Sequence, residues 1–164
     1  MITPFSVLDT RTKEWKKKKE EWIATYGIQS ELGRENTQSK TIFWDSPTNV
    51  SIFDPVLCEL MYDWFVPKGG KILDPFAGGS VRGIVAEEMG YKYVGIDLSK
   101  KQILANQKQS EKPFWIHGDA DKELFHLKGD FDFVFTCPPY YDLEVYSDSP
   151  YDLSNMKEKQ FDDK

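Results

Sequence analysis

The hydrophobic pattern changes character near residue 50. Trp15, Trp22, Ile23 and Tyr26 recur at spacings of seven, one and three, which puts them on one face of a helix over residues 12–26. Lys16, Lys17, Lys18 and Lys19, with Glu20 and Glu21, fall on the other faces and read as a solvated surface. Residues 27–40 are polar and irregular, like a linker. Asp54-Pro55 then opens a second helix, with an Asp cap and Pro in the first turn. Val56, Leu57, Leu60, Met61 and Trp64 form its inward stripe, and Pro67-Lys68-Gly69-Gly70 breaks it. Lys71-Ile72-Leu73-Asp74 is a short strand. A helix over 80–89 follows, with Val81, Ile84 and Val85 inward and Gly90 at its end. Tyr93-Val94-Gly95-Ile96-Asp97 is a second strand, and Ser99 caps a helix running to about residue 109. Phe114-Trp115-Ile116 is a third strand. Residues 131–136 make a fourth, ending at Cys137-Pro138-Pro139-Tyr140.

Strands alternating with helices at this spacing predict an α/β fold, a doubly wound, mainly parallel sheet with right-handed crossovers. Ligands of such sheets bind beyond the carboxyl ends of the strands, at the switch point. The unusual residues of this chain cluster at those ends. Three segments are expected: a helical and linker part over 1–50, a core over 51–146, and an acidic, weakly ordered tail over 147–164.

Composition narrows the classes. The chain has 164 residues, enough for one domain, and its 40% hydrophobic content is too high for a disordered tail. No apolar run approaches the roughly 18–20 residues of a membrane span, and residues 1–5 do not resemble a signal peptide. Two cysteines, Cys58 and Cys137, exclude a disulfide framework and a cysteine-rich zinc site, so a reducing cytoplasm is the expected setting. The net charge is −6. Residues 1–44 carry eight basic and six acidic side chains, while the remainder carries 13 and 21. A chain gripping a phosphate backbone alone would show the opposite bias, so any such grip needs a local patch, a partner or a further segment.

Four sites carry chemistry. The first is Asp74-Pro75-Phe76-Ala77-Gly78-Gly79-Ser80, between a strand and a helix, where glycines let backbone pass close beneath a ligand. It lacks the dinucleotide spacing GxGxxG. A carboxylate facing the loop repels pyrophosphate and suits a cation such as an ammonium or sulfonium. The second is Asp97-Leu98, where a strand-terminal acid accepts from ribose hydroxyls. It lies 23 residues beyond Asp74, near the usual offset of about 20. The third is Gly118-Asp119-Ala120, whose acid either accepts from an adenine amino group or closes a turn. The fourth is Thr136-Cys137-Pro138-Pro139-Tyr140. Two prolines remove two backbone donors and stiffen the turn, which leaves carbonyls to accept from an amine. Tyr140 offers a ring for stacking.

On these motifs, residues 52–146 resemble the amino-directed DNA methyltransferases that use S-adenosylmethionine, with a Rossmann-like fold. The stretch 5–34 resembles the segment before the core in phage and prophage methylases with a ParB-like segment. The resemblance implies that residues 74–80 hold the methionine part of the cofactor and that Asp97 and Leu98 hold its ribose. Asp119 and Ala120 would meet the adenine, and Phe53 and Asp54 would add a further cofactor contact. It implies that Cys137, Pro138, Pro139 and Tyr140 bind a base flipped from double-stranded DNA, with no metal required. Cys137 stands where the family more often has Asp, Asn or Ser, and a thiol is a weak acceptor. The family also continues through roughly three more strands. This chain therefore resembles a front part, whose bare fourth strand invites a missing C-terminal part or self-association. Methylation of RNA or of a protein glutamine, and a non-catalytic cofactor-binding fragment, are the competing readings.

Overall fold

A computed structural model of the chain describes residues 8–29, 38–39, 53–139, 144–145 and 150–162. In chain order the elements are α1 (Lys13–Tyr26), β1 (Gln38–Ser39), α2 (Pro55–Phe65), β2 (Lys71–Asp74), α3 (Val81–Glu88), β3 (Lys92–Asp97), α4 (Lys100–Gln109), β4 (Phe114–His117), α5 (Ala120–His126), β5 (Phe133–Val134), β6 (Glu144–Val145) and α6 (Glu158–Asp162).

The expected α/β architecture is present. Four parallel strands run in the order β4-β3-β2-β5. The chain winds outward from β2 through β3 to β4, then returns to place β5 on the other side of β2. The switch point therefore lies between β2 and β5. Side chains alternate across the sheet as pleating requires. Ile72, Tyr93 and Trp115 enter one core with Cys58 and Tyr62 of α2, Val81, Ile84 and Val85 of α3, and Ile103 of α4. Leu73, Val94 and Ile96 face the other way, against Ala120 of α5 and Phe76, Ile116, Leu127 and Phe131. Burial on both faces explains why the strands read as continuous apolar runs.

The helix starts follow their caps. Asp54 accepts from the Val56 and Leu57 amides, and Ser99 accepts from the Gln102 amide. The lysine-rich helix is not simply a solvated face. Trp22 and Ile23 of α1 pack against the main core. Trp22 Nε1 and Lys18 Nζ both reach Glu59, at 2.7 and 2.6 Å, and Trp15 Nε1 donates to Asp54 Oδ2 at 3.1 Å. Lys19 adds an ion pair to Asp54 at 3.5 Å.

Two elements differ from expectation. The fourth strand is shorter: only Phe133 and Val134 pair as strand, although the Asp132 and Phe135 amides extend the bonding to Lys71 and Leu73. The helix α5 was not foreseen. Asp119 caps it, but its seven residues offer no clear apolar face, and Phe125 is 90% exposed. Periodicity cannot announce a helix whose largest apolar side chain points into solvent. Within the expected weakly ordered tail, a 3₁₀ turn over Leu153–Asn155 and the short α6 are formed.

Candidate functional site

The glycine turn sits on β3 because β3 has no side chain in its way. A Cβ on Gly95 would lie 3.0 Å from the Ala77 Cβ and 2.7 Å from the Tyr93 ring. Its absence lets Ala77 lie against the strand, where its amide donates to Ile96 O at 2.8 Å. Gly78 adopts a left-handed conformation, φ 53°, that a side chain would disfavour. Its amide donates to Asp97 Oδ2 at 2.9 Å, and its carbonyl accepts from Asn106 Nδ2 at 2.7 Å. Gln102 Nε2 orients Asn106 in turn, at 2.8 Å. The turn is thus held from below by β3 and from the side by α4.

Asp74 ends β2 and accepts from the loop amide of Phe76, but it is turned into the protein. Its side chain is fully buried, and both oxygens are taken by the protein. Oδ2 accepts from Arg82 Nε at 2.5 Å and from the Tyr93 hydroxyl at 2.6 Å. Oδ1 accepts from the Thr136 hydroxyl at 2.7 Å and from the Phe76 amide at 3.2 Å. Arg82, 4% exposed, then donates to the carbonyls of Phe76 and Ala77, both at 2.9 Å. A buried carboxylate requires such partners, since an isolated one would not stay ionised. Asp74 therefore meets a guanidinium, and its charge is not left to face a cationic ligand. Burial opposes the Arg82 charge most strongly, but the charge and hydrogen bond of Asp74 together with Tyr93 and Cys58 outweigh it and hold the guanidinium protonated. Burial, with Asp74 second, keeps Tyr93 neutral well above its ordinary range.

The other expected residues are distributed unevenly. Asp97 is half-buried at the tip of β3, where it accepts from the Gly78 and Ser99 amides, the latter at 2.8 Å. Leu98 follows it, also half-buried. Asp119 caps α5 by accepting from the Asp121 amide at 3.2 Å, and Ala120 is buried beneath it. Phe53 lies under Arg82, 4.4 Å from guanidinium to ring centre, and edge-on to Phe135 at 5.5 Å. It thus joins the glycine turn to the end of β5. Asp54 is committed to capping α2 and to α1. Pro75, Phe76 and Gly79 are half-buried in the turn. Ser80 is fully buried at the base of α3, and its hydroxyl has no hydrogen-bond partner among the described residues.

Thr136 brings the two turns together. Its hydroxyl donates to Asp74 and accepts from the Phe76 amide at 3.1 Å, so the proline turn starts in contact with the glycine turn. Cys137 and Pro138 are exposed and Pro139 is half-buried. Tyr140 lies outside the described residues, as do residues 5–7 and 30–34 of the stretch 5–34. Arg82, Tyr93 and Asn106 are not marked as site residues by the sequence, and Thr136 is marked only as the start of the proline motif. The only signal was a charged residue in the otherwise apolar opening of α3, eight positions from an acid that also had to be buried.

Comparison with known proteins gives one family and several relatives. Residues 4–108 match the family described as DNA methylase, of the N6/N4 type. The Bacillus subtilis protein YqeM is 31% identical over 96 residues, 53% of this chain and 39% of that protein. The type II methyltransferase M2.DpnII of Streptococcus pneumoniae is 39% identical over 44 residues, 27% of this chain and 16% of that protein. The chain thus spans well under half the length of these relatives. A crystallised SAM-dependent methyltransferase from Agrobacterium tumefaciens superposes with a TM-score of 0.48 and 21% identity, over 63% of this chain and 40% of that one.

Proposed function

The chain belongs to the N6/N4 DNA methylase family, and from that membership we propose that it moves a methyl group from S-adenosylmethionine to the exocyclic amine of adenine or cytosine in double-stranded DNA. The observation that supports this most is the contact between the two strand-tip turns at the switch point, made by Thr136 with Asp74 and Phe76. A methyl donor held by one turn then lies beside an acceptor held by the other, and such positioning supplies much of the rate.

The residues present fit the cofactor. The left-handed turn at Gly78 keeps side chains away from the backbone over which the methionine part would lie, with residues 74–80 as its bed. The buried Ser80 hydroxyl at its base, without a partner among the described residues, is a polar group in want of a ligand or a water. Asp97, at a half-buried strand tip, would accept from the ribose, beside Leu98. Asp119 and Ala120 would border the adenine, and Phe53 would support the turn through Arg82. Asp74 acts through its partners and not by touching the ligand. When bound, S-adenosylmethionine supplies an electrophilic methyl group on a sulfonium.

The chain's own contribution falls to the proline turn. Pro138 and Pro139 offer no N–H, so the turn presents acceptors. Carbonyl groups at Cys137 and Pro138 would take the two amine hydrogens, favouring a tetrahedral nitrogen and stabilising the positive charge that grows on it. Tyr140 would stack on the flipped base. A cytoplasmic setting and a place in restriction–modification or a prophage fit this chemistry. The edge of β5, the last strand of its sheet among the described residues, carries Val134 at 55% exposure next to Phe133, on which Phe65, 53% exposed, stacks. We take that edge as the pairing site for further chain of this protein.

Calorimetry with S-adenosylmethionine, followed by transfer of labelled methyl to DNA, RNA and protein acceptors, tests the proposal. Binding with label in DNA amines supports it. Label in RNA or glutamine moves the substrate class, and no binding removes the function.

A further inference from the structure

We propose that Thr136 is a positioning residue that latches the glycine turn to the proline turn, so that occupancy of the first stiffens the second. The inference rests on the cofactor site proposed above and adds a coupling that family membership does not contain. Both hydrogen-bonding directions of the Thr136 hydroxyl are used. It donates to Asp74 Oδ1 at 2.7 Å and accepts from the Phe76 amide at 3.1 Å, across 62 and 60 residues of chain. The Phe76 backbone is itself clamped, because its carbonyl accepts from Arg82 at 2.9 Å. A shift in that backbone therefore acts directly on Thr136.

The other side of the latch has little else to hold it. Among the described residues, Cys137, Pro138 and Pro139 make no hydrogen bond of their own, so Thr136 is the last polar anchor before the turn. Beyond it, the two proline rings fix φ, and the residue preceding each is confined to extended conformations. A displacement at Thr136 is passed on through stiff chain, not absorbed. The ligand that tightens Phe76 thereby orders the acceptors for the amine.

Cys137 supplies the probe. It is exposed, whereas Cys58 is fully buried, and burial first of all drives the Cys58 thiol far above its ordinary range. Alkylation by iodoacetamide, read by mass spectrometry on the full chain, therefore reports Cys137. S-adenosylmethionine is expected to slow that reaction about fivefold in the natural chain, the scale set by one hydrogen bond. In Thr136→Val, which keeps the branched shape and loses the hydroxyl, calorimetry should still find S-adenosylmethionine bound, with the protection gone. Thr136→Ser should restore it. Protection that survives in the valine variant, as direct shielding by the ligand would give, overturns the latch, and so does a serine variant that lacks protection. Hydrogen exchange on the natural chain needs no variant. The Phe76 and Cys137 amides should slow together with one midpoint in a titration, and a response confined to Phe76 also overturns it. A natural chain that binds no S-adenosylmethionine in the calorimeter fails the cofactor site itself, a result distinct from all of these.

Discussion

Asp74 and Asp97 end neighbouring parallel strands, each followed by a turn and a helix, and in the sequence they look alike. The structure gives them opposite work. Asp74 is sealed, its two oxygens shared among Arg82, Tyr93, Thr136 and the Phe76 amide. Asp97 is half-buried and accepts from the backbone of the glycine turn and of the α4 start. A strand-tip acid thus marks the carboxyl end of a nucleotide-binding sheet without saying whether it meets the ligand or builds the bed. The difference lies in the neighbours. A buried guanidinium eight residues on captures the first, while the second takes the Gly78 and Ser99 amides beside its helix cap.

The largest effect should come from breaking the sealed pair. Arg82→Leu leaves the Asp74 carboxylate buried beside an apolar group, and losing one partner of a buried pair costs about 3–5 kcal/mol. That is a large share of the roughly 5–15 kcal/mol that holds a domain together. Urea unfolding should show it directly. Asp74→Ala should be similarly severe, so its loss of S-adenosylmethionine would report a damaged fold and not a missing contact. An Arg82→Leu variant within 1 kcal/mol of the natural chain would show that the pair is not the hub described here.

The next effect tests the same hub through pH. Burial, above all else, raises Tyr62 and Tyr93 well above 10.0 and Cys58 above 9.0. In the unfolded chain these groups lose protons near their ordinary values, while the fold keeps them protonated. The unfolded state then binds fewer protons, so stability is fully present below pH 9 and falls as pH rises beyond it. Each group contributes a slope of about 1.4 kcal/mol per pH unit once its unfolded form ionises. Melting curves between pH 8 and 11 should steepen downward past the tyrosine range, and Tyr93→Phe should remove one group's share of the slope. Asp97→Asn should leave the slope unchanged, which separates the two strand tips by a measurement that needs no ligand.

The parts of this architecture that were legible in advance were those announced by local chemistry. Asp54-Pro55 and Ser99 cap their helices because capping needs only neighbours in sequence. The strands were visible because both faces of the sheet are apolar. The hub was not legible, since its bonds join residues 74, 82, 93 and 136 and no spacing rule connects them. The α5 helix escaped for the converse reason, having a cap but too little apolar surface to show a period. In the site itself, both turns read as local motifs, whereas the pairing of Asp74 with Arg82 does not, because burial of a charge depends on a partner that only folding supplies.

At Asp97 the expected effect is on affinity. Asp97→Asn keeps the size and one acceptor oxygen while removing the charge. Hydrogen bonds to a charged group are worth about 1.5–3 kcal/mol, so S-adenosylmethionine should bind roughly 10- to 100-fold more weakly. The unfolding free energy should fall by only about 1 kcal/mol, from weaker bonds to the Gly78 and Ser99 amides. Calorimetry and urea unfolding on one variant would then show the inverse of Arg82→Leu: binding lost and fold kept. Unchanged affinity would move the ribose away from β3.

The smallest effect concerns a third strand-tip acid. Asp119 follows β4 and caps α5, with an ion pair to Lys122 at 3.7 Å that is too exposed to matter much. Its proposed contact with the adenine amino group is a single bond to a carboxylate at an exposed site, where water lowers it to about 0.5–1.5 kcal/mol. Asp119→Ser separates the two duties, because serine caps a helix about as well as aspartate but is too short to reach a base. Stability should stay within about 0.5 kcal/mol, while affinity for S-adenosylhomocysteine falls about two- to tenfold. The analogue carrying hypoxanthine in place of adenine has no amino group to offer, so it should bind the natural and serine chains alike. Equal losses for both analogues would mean that Asp119 acts through the position of α5, and the comparison would then hold a single ligand-facing acid, Asp97, among the strand tips.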